Sequence, residues 1–267
     1  MINFQTTLDS LPIGAVFGTY LISALIVSEF GYRFGYWLQN RTKDEKEGPT
    51  TMIVGSLLAL LAFLLAITMG MAADRFDRRR SMVLEEANSI GTTYLRAGYL
   101  PEPASGEVQD LIRAYVPLRI IEGNQVDLRE RLARSSQIHK ELWSIAEELA
   151  RNNPESDVLA LFIESLNQTI DLHETRIVAG IYSRVPHTIL LLLLAGSLLT
   201  LAAMGYNSGL MQRRSSATAI LMIIVLGAVI TLVVDIDRPQ GGFLIVDQTP
   251  LIDLQEQIGA PGLIKNP

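Results

Sequence analysis

The chain has 267 residues, of which 49% are hydrophobic and only 19% charged, with a formal net charge of −6. A soluble domain of this size carries nearer a quarter charged residues, so apolar content concentrated at the two ends of the chain points to membrane segments. The modest negative charge offers no footprint for nucleic acid, and the absence of cysteine excludes disulfides, thiol nucleophiles and thiolate metal sites.

Four runs are long enough to cross a bilayer, which takes roughly 20 mainly apolar residues. They are 11–30 (LPIGAVFGTYLISALIVSEF), 52–72, 187–206 and 217–235. The first lacks a basic leader and a small-residue cleavage site, so it reads as a retained helix rather than a signal peptide. Within it Gly14 and Gly18 form a small-xxx-small pair for close helix approach. Tyr32, Tyr36 and Trp37 follow, at the level where amphipathic rings favour headgroups.

The second run passes without Gly or Pro into Asp-Arg-Phe-Asp-Arg-Arg-Arg at 74–80. Nothing there stops a helix, so the membrane helix is expected to continue out of the bilayer as the first helix of an extramembrane domain. That domain, 73–185, holds 14 Lys/Arg and 18 Asp/Glu. Its apolar periodicity predicts four helices, at about 73–98, 105–121, 125–151 and 155–185. Pro117 should kink the second, Asn152-Asn153-Pro154 should end the third, and Pro186 should break the fourth near its return to the membrane. The short connections, PEPAS, EGN and NNP, make neighbouring helices antiparallel. The fold class is therefore all-α. Two membrane helices and a basic loop (1–72) precede a helical bundle (73–185). Two more membrane helices (186–236) follow, and then a tail (237–267) that folds onto the bundle or the membrane surface.

Basic residues in short loops favour the cytoplasm. Arg33, Arg41, Lys43 and Lys46 in the loop at 31–51, with Arg213 and Arg214 in that at 207–216, put both loops inside. The bundle and both termini are then extracytoplasmic. Arg75, Arg78, Arg79, Arg80, Arg176 and Arg184 beside the bundle weigh the other way, but long loops translocate largely regardless of charge.

On the first bundle helix Asp74, Arg78, Ser81, Glu85, Asn88, Thr92 and Arg96 follow one another at steps of four and three, along one side. That side is either a solvated face or half of an ion network completed by His173, Glu174 and Arg176 of the fourth helix. Ser81, Glu85 and His173 could be drawn as a nucleophile and base, but no spacing demands it, and no enzyme activity is expected. The three histidines, His139, His173 and His187, lack metal-ligand spacing, and no residue pattern asks for a cofactor. In the second membrane run Ser56, Phe63 and Gly70 are seven apart and face one way, so in an oligomer they would line a pore with Phe63 as an apolar constriction. Packing between helices is the other reading of the same spacing. Asp235 and Asp237 close the fourth run beside Arg238, placed either to collect cations or to pair with that arginine.

Longer segments carry a resemblance. ADRFDRRR, EANSIGTTYLRAGYLPEP, AYVPLR, LNQTIDLHETRIVAG, RVPHTILLLLL and DIDRPQGGFLIVDQTPL resemble a family of bacterial membrane proteins with bestrophin-like domains of unknown function. The resemblance spans about 30–257 and implies four membrane spans with a helical middle region, without a reaction or substrate. A more distant resemblance is to bestrophins proper, which are oligomeric anion channels whose middle region and termini are cytoplasmic. It implies a homo-oligomeric channel for a small ion, with an orientation opposite to that of the loop charges. The alternative from another class is a membrane-anchored sensor or scaffold whose bundle binds a ligand or protein. The loop at 207–216 is too short for an output module, which favours the channel.

Overall fold

The computed structural model describes residues 11–41, 47–120, 128–214, 216–238 and 242–261. Lys43, Lys46 and the EGN connection, used above, lie outside these residues. Among the described residues there is no strand. The helices are α1 (Ile13–Arg41), α2 (Glu47–Ala97), α3 (Ala104–Arg119), α4 (Leu128–Asn152), α5 (Asp157–Ile177), α6 (His187–Leu210), α7 (Ser216–Asp237) and α8 (Thr249–Gln257). Four of them, α1, α2, α6 and α7, are long and apolar enough to cross a membrane.

The chain forms two compact units, Met1–Phe76 with Ser183–Ile245, and Asp77–Tyr182 with Val246–Pro267. The helix α2 supplies its first part to one unit and its charged remainder to the other, without interruption at 74–80. No helix-breaking residue occurs in that stretch.

In the first unit α1 runs eleven residues past the apolar stretch that marks it in the sequence, so Tyr32, Arg33, Tyr36 and Trp37 are helical rather than looped. The close-approach glycines are also different from those expected. A Cβ on Gly14 or Gly18 would meet nothing within 4 Å. A Cβ on Gly31 would lie 2.2 Å from the Ala202 carbonyl oxygen, and one on Gly35 2.2 Å from that of Tyr206. On the facing helix, Gly205 and Gly209 would meet the Ser28 and Tyr32 carbonyl oxygens at 2.2 and 2.3 Å. Two small-xxx-small pairs thus meet backbone to backbone, the packing that replaces a hydrophobic driving force between helices in lipid. Around it Tyr20 and Ala24 of α1, Leu193 and Leu201 of α6, and Ile223, Leu226 and Ile230 of α7 form a core to which α2 adds Leu61.

The second unit has its own core. Val83, Ala87, Ile90 and Ala97 form the stripe that α2 buries, at the three- and four-residue steps of an amphipathic helix. Against them pack Val108, Ile112 and Tyr115 of α3, Ile138 and Leu142 of α4, and Phe162 and Leu166 of α5. A large side chain buried this completely contributes about 1.5–3 kcal/mol. The tail joins this core through Leu251 and Leu254 of α8. Pro117 sits inside α3 and is buried, and α4 ends at Asn152, ahead of Asn153 and Pro154. Ser156 then caps α5, its hydroxyl accepting from the Leu159 amide at 3.2 Å.

The expected helix 155–185 is shorter in its α-helical part. The α-helix stops at Ile177, a π-turn covers Val178–Tyr182, and 183–186 are not helical. Pro186 restricts the residue before it and cannot donate a helical hydrogen bond. The amide of that preceding residue, Val185, donates instead to Asp237 Oδ1 at 2.7 Å.

Candidate functional site

Two groups of residues stand out, one in each unit. In the first, the apolar stretches of α1 and α2 are mostly uncovered: 11% and 17% of them are buried, against 33% in α6 and α7. Phe63 is 62% exposed, and Ser56 and Gly70, one heptad before and one after it on the same side, are exposed as well. The Ser56 hydroxyl donates to the Met52 carbonyl at 3.0 Å, and Thr68, which is buried, donates to that of Leu64 at 2.7 Å. The hydroxyls of Ser56 and Thr68 therefore satisfy themselves on the backbone of their own helix.

The second group is a charge cluster in the core of the other unit. The carboxylate of Glu86 is 0% exposed. Its Oε1 accepts from Arg119 Nε at 2.7 Å and from the Tyr115 hydroxyl at 3.4 Å, while Oε2 accepts from Arg176 Nη1. Arg176 Nη2 reaches on to Gln248 Oε1 at 2.8 Å, ahead of α8. The Tyr115 hydroxyl is 3.0 Å from His173 Nδ1, and the His173 ring meets that of His139 edge-on with centroids 4.7 Å apart. One carboxylate thus ties α2 to α3 and α5, and the aromatic rings extend the cluster to α4. Two buried guanidiniums face one carboxylate, an arrangement that fixes which helices pair more than it adds stability.

The electrostatics follow from this geometry. Burial pushes the Tyr115 hydroxyl above its ordinary value, although the neighbouring arginines oppose it. Burial also works against charge on both arginines. On Arg119 the Glu86 carboxylate outweighs it and the pKa is raised; on Arg176 burial, with repulsion from Arg119, prevails and it is lowered. The histidines move furthest: burial and then the Arg119 charge bring His139 to about 4 and His173 to about 3. Both are neutral in the folded protein, whereas an unfolded chain binds protons at these sites below about pH 6.5. Stability from the pair is therefore complete above about pH 6.5 and is lost as the pH falls toward 4. The loss is on the order of 2 kcal/mol per histidine by pH 5. Thermal melting at pH 7 and pH 5 should show this drop, and His139→Gln with His173→Gln should flatten it. An equal drop in the double variant would assign the acid sensitivity to other groups.

The residues expected at the ion network are only partly brought together. His173 and Arg176 are in the cluster, but Asp74, Arg78, Glu85 and Glu174 are exposed. Arg96 is partly exposed, donates to the Leu161 carbonyl at 2.5 Å and lies 4.0 Å from Glu164. The carboxylate at the centre is Glu86, one position on from Glu85, which turns it by about 100° onto the apolar stripe. Ser81 and Glu85 are exposed while His173 is buried, so these three do not form a nucleophile and base. The two histidines read as distant in sequence are in contact. Among the described residues no group of three or more His, Cys, Asp or Glu is placed to hold a metal.

At the end of α7, Asp235 and Asp237 are buried and accept hydrogen bonds from backbone amides. Asp235 accepts from the amides of Phe243 and Leu244 at 3.1 Å. Gly242, at φ +121°, lies so close that a Cβ there would be 2.2 Å from Asp235 Oδ1. Asp237 holds the Val185 amide described above, and Arg238 Nη2 donates to the Leu11 carbonyl at 2.9 Å. These three side chains pin the chain where it enters and leaves the membrane helices.

The charge cluster draws on the segments whose wording carried the family resemblance. Glu86, Tyr115, Arg119, His173, Arg176 and Gln248 all lie in them, and His139 does not. The family described as the bestrophin-like domain matches residues 21–251, most of the chain. The chain belongs to the bestrophin-like family. Solved structures agree on the fold. A crystal structure of a bacterial bestrophin homologue from Klebsiella pneumoniae, phased on zinc, is 14% identical, with a TM-score of 0.62 over 92% of this chain and 95% of that one. A single-substitution variant of that homologue is also 14% identical, with a TM-score of 0.63 over 90% and 95%. A crystal structure described only as a membrane protein gives 14% identity and a TM-score of 0.64 over 89% and 94%. No curated protein sequence matches the chain. The bestrophin-like assignment thus brings a fold with four candidate spans, and the chemistry has to be argued from the residues.

Proposed function

We propose that this bestrophin-like protein is a homo-oligomeric pore that passes small ions across a bacterial plasma membrane, with α2 nearest its axis. The observation that carries the reading is the uncovered face of α2 at Ser56, Phe63 and Gly70. A membrane helix so poorly covered by its own chain has surface left for lipid, for other copies, or for a water-filled path. The heptad of hydroxyl, aromatic ring and glycine suits a path with one apolar constriction. Anions are the ion class, by the likeness to bestrophins. An enzymatic role forms no part of the reading. The test is chloride efflux from vesicles reconstituted with the purified protein. Efflux above empty vesicles supports the pore, and tight vesicles containing a correctly assembled oligomer would leave the membrane-anchored scaffold instead.

The same proposal places the helical domain between the second and third spans and outside the cytoplasm, with both termini on its side. The short-loop arginines support this orientation: Arg33 and Arg41 on α1 and Arg214 after α6 gather at one end of the membrane helices. Because the chain has no cysteine, Asn153→Cys introduces a single thiol at an exposed site between α4 and α5. An impermeant maleimide should label it in intact cells. Labelling only after permeabilisation would place the domain in the cytoplasm, as in the bestrophins.

A further inference from the structure

A groove of about 160 Å³ lies where α1, α6 and the start of α7 meet. Leu25, Met204 and Ile223 give it an apolar lining, with Ile223 buried and Leu25 half exposed, and its mouth is polar, with Glu29, Arg214 and Ser216. The mouth carries an unbalanced charge. Glu29 accepts from Arg33 Nε at 2.8 Å and from Arg214 Nη2 at 2.7 Å, so one carboxylate faces two guanidiniums. The Arg214 guanidinium is held over the Tyr32 ring at 5.1 Å. The side chains of Arg33 and Arg214 remain 78% and 58% exposed. Each guanidinium has five N–H donors in a fork that suits phosphate oxygens, and Glu29 engages only part of either.

The volume decides what kind of occupant fits. Sites that enclose a small molecule run to about 300–1,000 Å³, so this groove takes one end of a molecule whose remainder lies outside it. Beside it Ile22 and Ile26 of α1 and Leu221 of α7 present exposed apolar surface. The exposed Tyr36 and Trp37, two turns beyond Glu29 along α1, place the mouth at headgroup level.

We propose that the groove is a binding site for an anionic phospholipid, its phosphate held by Arg214 and Arg33 and its acyl chains lying along α1 and α7. The site requires membrane residence but not conduction, so it stands or falls separately from the pore.

The test uses the full-length protein in a neutral detergent, with phosphatidylglycerol, phosphatidylcholine or glycerol phosphate added. Melting temperature and lipid retained per chain, counted by native mass spectrometry, are the two readouts. The expected result is a melting temperature several degrees higher with phosphatidylglycerol than with phosphatidylcholine, and at least tenfold more retained lipid. Arg214→Gln and, separately, Arg33→Gln should reduce both differences, and Arg214→Lys should keep part of the retention. Arg33 is so exposed that its replacement tests the site even if Arg214→Gln does not fold. Equal retention of the two lipids, or unchanged preference in both glutamine variants, would overturn the proposal. Stabilisation by glycerol phosphate alone would make the site one for soluble phosphate and overturn it too. Stabilisation that depends on protein concentration and not on lipid would give the groove to a second copy.

Discussion

Replacing Glu86 by glutamine should be among the most destabilising single changes in the helical domain, while the same change at Glu85 should be nearly silent. Glu86→Gln leaves the guanidiniums of Arg119 and Arg176 buried without their shared carboxylate. Breaking a buried pair from one side costs about 3–5 kcal/mol, and here two cations are stranded at once. Against a total stability of about 5–15 kcal/mol, that loss should lower the melting temperature by roughly 10 °C or unfold the domain. Glu85 is exposed, so Glu85→Gln should stay within about 0.5 kcal/mol. Adding Arg176→Gln to Glu86→Gln should cost less than the sum of the two, because it removes one of the stranded charges. Indistinguishable melting curves for the two glutamate variants would show that the cluster does not hold the helices together.

Phe63→Ala should raise ion flux with little cost to the stability of the single chain. A well-packed aromatic costs about 3–5 kcal/mol on truncation, but Phe63 is mostly uncovered and has little packing within its own chain to lose. A ring of such side chains around an axis excludes water at small radius, and ions do not pass where water is absent. If the ring contributes about 1.4 kcal/mol to the barrier, its removal gives about tenfold faster efflux from reconstituted vesicles. If Phe63 instead packs against a neighbouring copy, the variant should weaken the assembly and leave flux at background. Stability of the oligomer and flux, measured side by side, separate these outcomes.

Much of this architecture is legible because it depends on local pattern. The passage of α2 through 74–80 follows from the absence of a breaker, and the end of α4 from Asn153-Pro154. The length of α1 was hidden because hydropathy falls after Phe30 while helical continuity does not. Gly31 and Gly35 look like loop residues until the Ala202 and Tyr206 carbonyls are seen against them. The charge cluster was hidden for a different reason. The side drawn through Asp74, Arg78, Glu85 and Arg96 passes over a carboxylate three residues after Val83 and four before Ile90, on the apolar stripe. That spacing was the available signal for Glu86. Nothing local marks Arg119 or His139 as its neighbours, since both arrive through packing of α3 and α4. At Asp235 and Asp237 the membrane-edge position is legible, but the Val185, Phe243 and Leu244 amides that they engage are not, since those arrive from other segments of the fold.

The position of α2 in the assembly is the claim on which the pore reading depends. The direct measurement is the structure of the purified protein in lipid nanodiscs, without imposed symmetry, read for the radius along its central axis. The account predicts a ring of copies with α2 innermost, Ser56, Phe63 and Gly70 facing the axis, and the narrowest point at Phe63. A single copy, or a ring in which that face of α2 meets lipid, would contradict it.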